Sequence, residues 1–336
     1  MKGKRIEREN FLNALKRFAK EGPGLLLGFE RKDRKFRTKV FRKEFDDLSL
    51  FNPVFQVNTA IHLRRIFSKD LKIVCILRPC ETRAYVELTK LTQVEPTSLI
   101  CGSTDCFGTV SSKRDDLSFP EKPEDLKTFL ENLSDLRYAC QTCRHKNGVF
   151  GDFGIRIDSD WNFWFIPYTE RSVPLYELIE GPESEIPEAF KREEERSKTL
   201  FQTDLQEFRK DFEKCIMCLN CRDMCPVCYC VDCLFNSDEY LPKGDALINS
   251  IMRSKASEIP KNKEVYHFIR MYHVSQTCVG CGSCEEACPQ NIPLTKYFKG
   301  ISERLSGLFD YVSGRSFEER IPYTTFKEEE LENASD

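Results

Sequence analysis

The sequence predicts a molecule in two parts: an α/β domain, with a mixed or parallel sheet and helices, followed by a helical domain organised around cysteine. Three observations carry this. Residues 71–102 follow a strand–helix–strand pattern. From 183 to 214 the chain is dense in charge, with apolar residues at helical intervals. Beyond that stand two cysteine runs, Cys215-Ile-Met-Cys218-Leu-Asn-Cys221-Arg-Asp-Met-Cys225-Pro226 and Cys278-Val-Gly-Cys281-Gly-Ser-Cys284-Glu-Glu-Ala-Cys288-Pro289. The boundaries that follow are 1–180 for the α/β domain, 181–214 for a charged connecting helix, 215–312 for the cysteine-bearing domain with a helical insertion, and 313–336 for a tail.

In chain order, Ile6, Phe11, Leu12, Leu15 and Phe18 recur at helical spacing across residues 5–20, an amphipathic surface helix. After Gly22-Pro23-Gly24, the run Leu25 to Phe29 reads as a buried strand. The basic stretch from Arg31 to Arg42 reads as a solvated hairpin or loop edge, the alternative being a docking surface for an acidic carrier. The apolar run from Leu71 to Leu77 is a strand, broken by Arg78-Pro79-Cys80 and followed by a helix from Glu81 to Gln93. A second strand spans Thr97 to Gly102. Two strands joined by a helix within about 35 residues should lie parallel and adjacent. Cys80 and Cys106 then fall just past the carboxyl ends of the strands, the edge where open α/β sheets hold ligands. Residues 111–135 are a polar surface excursion with a short helix, and residues 154–167 alternate as a β-hairpin. Between the cysteine runs, 244–257 and 263–276 are helix-like. Leu294 to Tyr311 is amphipathic, and the end of the chain from Lys327 is acidic and frayed.

The bulk composition excludes several classes. With 51 Lys+Arg against 54 Asp+Glu, the net charge of −3 offers no general attraction to nucleic acid or anionic membrane. No apolar run approaches the ~20 residues of a membrane span. The 17 cysteines are far above ordinary use. The N-terminus shows no apolar signal segment, so a disulfide scaffold is not expected and a reducing cytoplasm, in an anaerobic host, is.

Each cysteine run reads C-x2-C-x2-C-x3-C-P, the spacing of a bacterial two-cluster ferredoxin. Three thiolates offset by three residues in a turning loop face one cubane, while the fourth opens a helix and reaches the other. Proline next to it suits a first helical turn. Cys215, Cys218, Cys221 and Cys288 are thus assigned to one [4Fe–4S] cluster, and Cys278, Cys281, Cys284 and Cys225 to a second. Structural zinc is the alternative, but zinc sites show paired C-x2-C knuckles rather than three evenly spaced cysteines. Two linked cubanes serve electron transfer.

Cys80 and Cys106, at predicted strand ends, together with Cys140-Gln-Thr-Cys143, form a third candidate set for a [4Fe–4S] cluster or zinc; scattered buried thiols are the competing account. Cys228, Cys230 and Cys233 are left over. They are a candidate for a further metal centre with Cys75 or Cys101, for a substitute for Cys225, or for free thiols. Of the histidines, His145 is a loop residue or a proton donor to a flavin, while His267 and His273 read as helix-face residues.

The segments Arg78-Pro79-Cys80-Glu81-Thr82-Arg83-Ala84, Asp105-Cys106-Phe107-Gly108-Thr109, Cys140-Gln-Thr-Cys143 and Gly151-Asp152-Phe153-Gly154 occur in the order of a known family. Over about residues 50–170 plus the cysteine-rich part, the chain resembles the beta-subunit family of coenzyme F420-reducing hydrogenases and F420-dependent formate dehydrogenases, in the form joined to a two-cluster ferredoxin. The resemblance implies a third [4Fe–4S] cluster on Cys80, Cys106, Cys140 and Cys143, with FAD beside it. It further implies a catalytic partner subunit of formate dehydrogenase, hydrogenase or heterodisulfide reductase type, and a soluble carrier such as F420 or ferredoxin. Arg78 and Arg83, near the start of the Glu81 helix, become candidate contacts for a flavin phosphate, the alternative being ordinary surface arginines. The family's glycine-rich flavin segment is not evident before residue 50, and no G-x-G-x-x-G follows a strand. A flavin-free wire between two enzymes and a zinc-stabilised interaction module are therefore the alternative functions.

Overall fold

The computed structural model describes residues 2–21, 24–32, 35–42, 44–64, 73–114, 119–120, 128–130, 132–133, 135–186, 205–237, 244–254 and 263–325. Its strands are β1 (Lys2–Ile6), β2 (Leu25–Lys32), β3 (Lys35–Phe41), β4 (Leu48–Ser49), β5 (Val54–Phe55), β6 (Ile73–Leu77), β7 (Leu99–Thr104), β8 (Val110–Ser111), β9 (Phe153–Ile157), β10 (Phe163–Pro167) and β11 (Glu183–Glu185). Nine of them form one mixed sheet in the order β11-β1-β10-β9-β7-β6-β2-β3, with β4 paired to β2. The central strands β2, β6, β7 and β9 are parallel, and the flanking ones antiparallel.

The parallel centre follows from composition. All five residues of β6, Ile-Val-Cys-Ile-Leu, are buried, as a strand covered on both faces requires. Helix α1 (Arg8–Glu21) covers one face, packing Phe11, Ala14 and Leu15 with Phe153 and Phe165. Helix α2 (Pro79–Lys90) covers the other, packing Ala84, Tyr85 and Leu88 over Cys75, Leu77 and Cys101. The predicted strand–helix–strand unit is present, with Ile73 opposite Leu99 and Leu77 opposite Ser103 in parallel register. The basic stretch is the β2–β3 hairpin at the sheet edge.

Three elements differ from expectation. Ile6 ends strand β1 rather than joining the helix, because Lys2–Ile6 pairs with β10 and β11 before the chain turns. The start of the charged connector is a strand, Glu183–Glu185, exposed at the sheet edge, where cross-strand hydrogen bonds rather than apolar pattern hold it. Of the connector, only helix α3 (Leu205–Glu213) is described; Phe190, Leu200 and Phe201 lie outside the described residues, as does the acidic end from Lys327. Residues 311–325 do not trail away. Tyr311 Oη and the Gly314 amide both donate to buried Glu87 Oε1 on α2, at 2.6 Å each.

The C-terminal part contains α4 (Gly244–Ser254), α5 (Lys263–Val274) and α6 (Leu294–Phe309). Phe208 and Phe212 of α3, Tyr266 and Met271 of α5, and Tyr297 and Phe298 of α6 close a second core around the cysteine loops. Among the described residues no helix is long and apolar enough to cross a membrane.

Candidate metal centres

The two cysteine runs share one backbone path. In the first, Met217 and Leu219 have φ of 55° and 60°; at the same offsets in the second, Gly280 and Gly282 have φ of 66° and 70°. Two left-handed residues alternating with the cysteines coil the loop so that the first three thiols of the first run border one cavity, with Cys218 at its exposed side. A single helical turn follows each, Asn220–Asp223 and Ser283–Glu286, and the two turns pack together. Glycine is required in the second run by more than φ. A Cβ on Gly282 would lie 2.5 Å from Ala139 Cβ and 2.7 Å from Arg137 Nη2, so this loop presses its backbone against the α/β part.

Cys215, Cys218, Cys221 and Cys288 line one cavity of about 20 Å³, walled by Ile216, Met217, Leu219, Ile292 and Leu294. Cys288, from the second run, faces the first run's thiols, the crossing the spacing implied. The Met217 amide and His267 Nε2 each lie 3.4 Å from Cys215 Sγ, and Tyr266 Oη is 3.5 Å from Cys221 Sγ. His267 is thus not a plain helix-face residue: burial, then Arg270, lowers its pKa to about 3, so the ring is neutral.

In the second run, burial drives the Cys284 thiol well up, with Cys278, Cys281 and Cys221 as its neighbouring thiols. Cys278 is pushed up to about 11 by burial against a Gly280 amide hydrogen bond. Cys225 sits beside Cys228, which hydrogen-bonds it.

The third set is built at the sheet edge. Pro79 takes the first turn of α2 and Arg78 caps it in extended conformation. Glu81 Oε2 accepts from the Arg78 amide at 2.9 Å, and Oε1 from Arg78 Nη2 at 2.8 Å and Thr59 Oγ1 at 2.7 Å. This fully buried pair fixes Cys80. After β7, Asp105 accepts from the Gly148 and Ile157 amides and Arg156 Nε, at 2.6 to 2.8 Å, and so anchors Cys106. Thr109 Oγ1 lies 3.1 Å from Cys140 Sγ in the turn Tyr138–Gln141. Cys80, Cys106, Cys140 and Cys143 all line one cavity of about 30 Å³, and Cys281 of the second run joins them. A neighbouring cavity of about 40 Å³ links Cys143 with Cys278. Burial, then Cys140, pushes the Cys106 thiol up to about 12.

Among the described residues no group of three or more His, Cys, Asp or Glu gathers tightly enough for a metal ion. A tetrahedral zinc with ~2.3 Å bonds draws its thiolates to about 3.8 Å of one another. A cubane carries its cysteine ligands on separate iron corners and spreads them wider. Four thiols around a small apolar cavity, turned by a coiled loop and met by N–H donors, fit that larger group.

The flavin contacts fare differently. Arg78 is 1 % and Arg83 4 % exposed. Arg78 is held by Glu81 and the Val54 carbonyl, and Arg83 donates to the Ser313 and Val279 carbonyls. They are buried rather than surface arginines, and each also lines a thiol cavity, Arg78 that of the third set and Arg83 the one that links Cys143 with Cys278. The cavities that the two arginines line measure about 10, 30 and 40 Å³. Cys75 and Cys101 face each other across β6 and β7 in the core, while Cys228, Cys230 and Cys233 line a cavity of about 810 Å³ beside the first run. His145 is pushed down to about 3 by burial, then Arg83.

The sequence reading missed Arg270 and Lys299. Tyr266, His267, Arg270, Met271 and Val274 are the buried residues of α5, so His267 and Arg270 occupy positions of an apolar helical stripe, which was the available signal. Lys299 Nζ crosses from α6 to Thr142 Oγ1 at 2.9 Å.

Fold and thiol sets define an iron–sulfur protein of the electron-transfer class, with a mixed α/β part and a helical ferredoxin-like part. Comparison with known proteins agrees. Residues 211–292 match the family model of a 4Fe-4S dicluster domain. The chain is similar to the F420-dependent formate dehydrogenase subunit beta of Methanocaldococcus jannaschii, at 25% identity over 296 residues, 73% of this chain and 74% of that protein. It is also similar to the F420-dependent formate dehydrogenase 1 subunit beta of Methanococcus maripaludis, at 24% over 306 residues, 74% of each. The resemblance carried by the short motifs therefore extends over most of the chain.

Proposed function

We propose that the chain is a three-cluster electron conduit. Cys215, Cys218, Cys221 and Cys288 hold the first [4Fe–4S] cluster, Cys278, Cys281, Cys284 and Cys225 the second, and Cys80, Cys106, Cys140 and Cys143 the third. The carrying observation is adjacency: Cys221 neighbours Cys284, and Cys281 shares the cavity of the third set. Such clusters supply one-electron transfer. The cysteines of the second and third sets are partly buried, whereas Cys218 of the first is exposed. The relatives are formate dehydrogenase subunits, and on that likeness one end meets a catalytic subunit of formate dehydrogenase type, with hydrogenase or heterodisulfide reductase type as the alternatives. The other end meets a soluble carrier, F420 or ferredoxin, with FAD as the one- to two-electron junction if F420 is reduced. A flavin-free wire between two enzymes is the second reading, favoured by the inward engagement of Arg78 and Arg83.

Anaerobically purified protein should contain about 12 iron and 12 sulfide per chain; about 8 removes the third cluster, and zinc without sulfide removes the whole reading. Acid-released flavin near one per chain supports the first reading, and its absence the second.

A further inference from the structure

Helix α5 turns one polar-bearing stripe toward the thiols. Tyr266 faces Cys221, His267 faces Cys215, and between the two cysteine sets lies Arg270. The Arg270 guanidinium is 1 % exposed. Nη2 donates to the Cys221 carbonyl at 2.8 Å, whereas Nε and Nη1 have no hydrogen-bond partner among the described residues. The Phe298 ring covers the guanidinium, centroid 4.4 Å away. A buried cation held by one carbonyl is costly, and the groups around it are cysteine sulfurs, Cys221 of the first set, Cys225 and Cys284 of the second, and Cys228, which carry the offsetting negative charge once they ligate iron as thiolates.

We propose that Arg270 is a positioning residue shared by both ferredoxin-type clusters, whose fixed positive charge holds the two thiol sets together and raises both reduction potentials. The proposal rests on the cluster reading above. A cation favours the more negative, reduced state of a nearby cluster, and exclusion of water by Phe298 strengthens the effect. Because its thiol neighbours belong to both sets, the two clusters should respond in the same direction. A purely structural residue would alter iron content or stability without shifting both potentials.

The test uses the full-length protein purified anaerobically, with iron and sulfide analysis and EPR-monitored potentiometric titration of wild type, Arg270→Gln and Arg270→Lys. Wild type lacking the iron of two clusters overturns the cluster reading itself. With wild type loaded, the proposal expects Arg270→Gln to lower both midpoints and Arg270→Lys, which keeps the charge, to stay nearer wild type. Loaded Arg270→Gln with both midpoints unchanged, or with only one lowered, overturns the shared role. If Arg270→Gln fails to hold iron, retention of both clusters by Arg270→Lys supports the charge, and equal loss in Arg270→Lys overturns it.

Discussion

Glu81 offers the clearest energetic test of how the third thiol set is positioned. Its carboxylate is fully buried, with the Arg78 guanidinium, itself 1 % exposed, at 2.8 Å. It also accepts from the Thr59 amide and hydroxyl and from the Arg78 amide and Nε. Glu81→Ala leaves the guanidinium buried with carbonyls as its remaining polar support, and removing one partner of a buried pair costs about 3–5 kcal/mol. Glu81→Gln keeps the shape but loses charge-assisted bonds, for about 1.5–3 kcal/mol. The double variant Arg78→Met with Glu81→Leu removes both charges and should recover most of the loss. Urea unfolding followed by tryptophan fluorescence suits the question, since the chain's 2 tryptophans, Trp161 and Trp164, both lie at the β9–β10 hairpin. A loss below about 1 kcal/mol in Glu81→Ala, or a double variant as unstable as the singles, would refute the reasoning. Iron content should fall with stability in the single variants.

Other consequences are equally direct. Gly282→Ala, whose Cβ meets Ala139 Cβ at 2.5 Å and Arg137 Nη2 at 2.7 Å, should lower the thermal midpoint and iron content more than Gly280→Ala, whose nearest neighbours are Lys299 stem atoms at 3.0 Å or more; equal effects would dismiss the closer contact. Arg137→Met removes bonds to Glu286 Oε2 and the Cys281 carbonyl, both 3.1 Å, and should speed proteolysis between the two parts; an unchanged cleavage pattern argues against this seam. Burial alone would raise the Asp158 carboxyl, but hydrogen bonds from Trp164 Nε1 and Asn162 hold it below its ordinary 3.8. Its folded pKa being depressed, its contribution is present above 3.8 and fades as pH falls through the folded value. Asp158→Asn should destabilise at neutral pH and flatten the acid side of the stability profile, which unfolding midpoints across that range will check.

What was legible in the sequence was whatever repeats locally. The alternation of β9 and β10, the stripe of α6 and the cysteine spacing depend on neighbours a few residues apart. The misreadings depend on distant partners. Glu183–Glu185 is a strand because Lys2–Lys4 lies beside it. Arg83 could be read only as a phosphate contact or a surface arginine, because the Ser313 and Val279 carbonyls that receive it lie 230 and 196 residues away. Arg270 occupied an apolar stripe, and its charge masked the position. The strand ends placed Cys80 and Cys106 at one edge and left open whether Cys140 and Cys143 join them, while the arrival of Cys281 at the same cavity was not readable, since nothing in the spacing tells which face of the second loop meets the sheet.

The return of residues 311–314 to Glu87 has a kinetic meaning. A domain that shuttled between docking sites would be tethered at one place and free elsewhere. Here the helical half is pinned at its second cysteine loop through Arg137, along its last long helix through Lys299, and again by the stretch of chain that leaves it. On the three-cluster proposal these contacts hold the clusters at fixed separations, so electron transfer between them should be insensitive to solvent viscosity, and any slow motion in turnover belongs to the partners that dock.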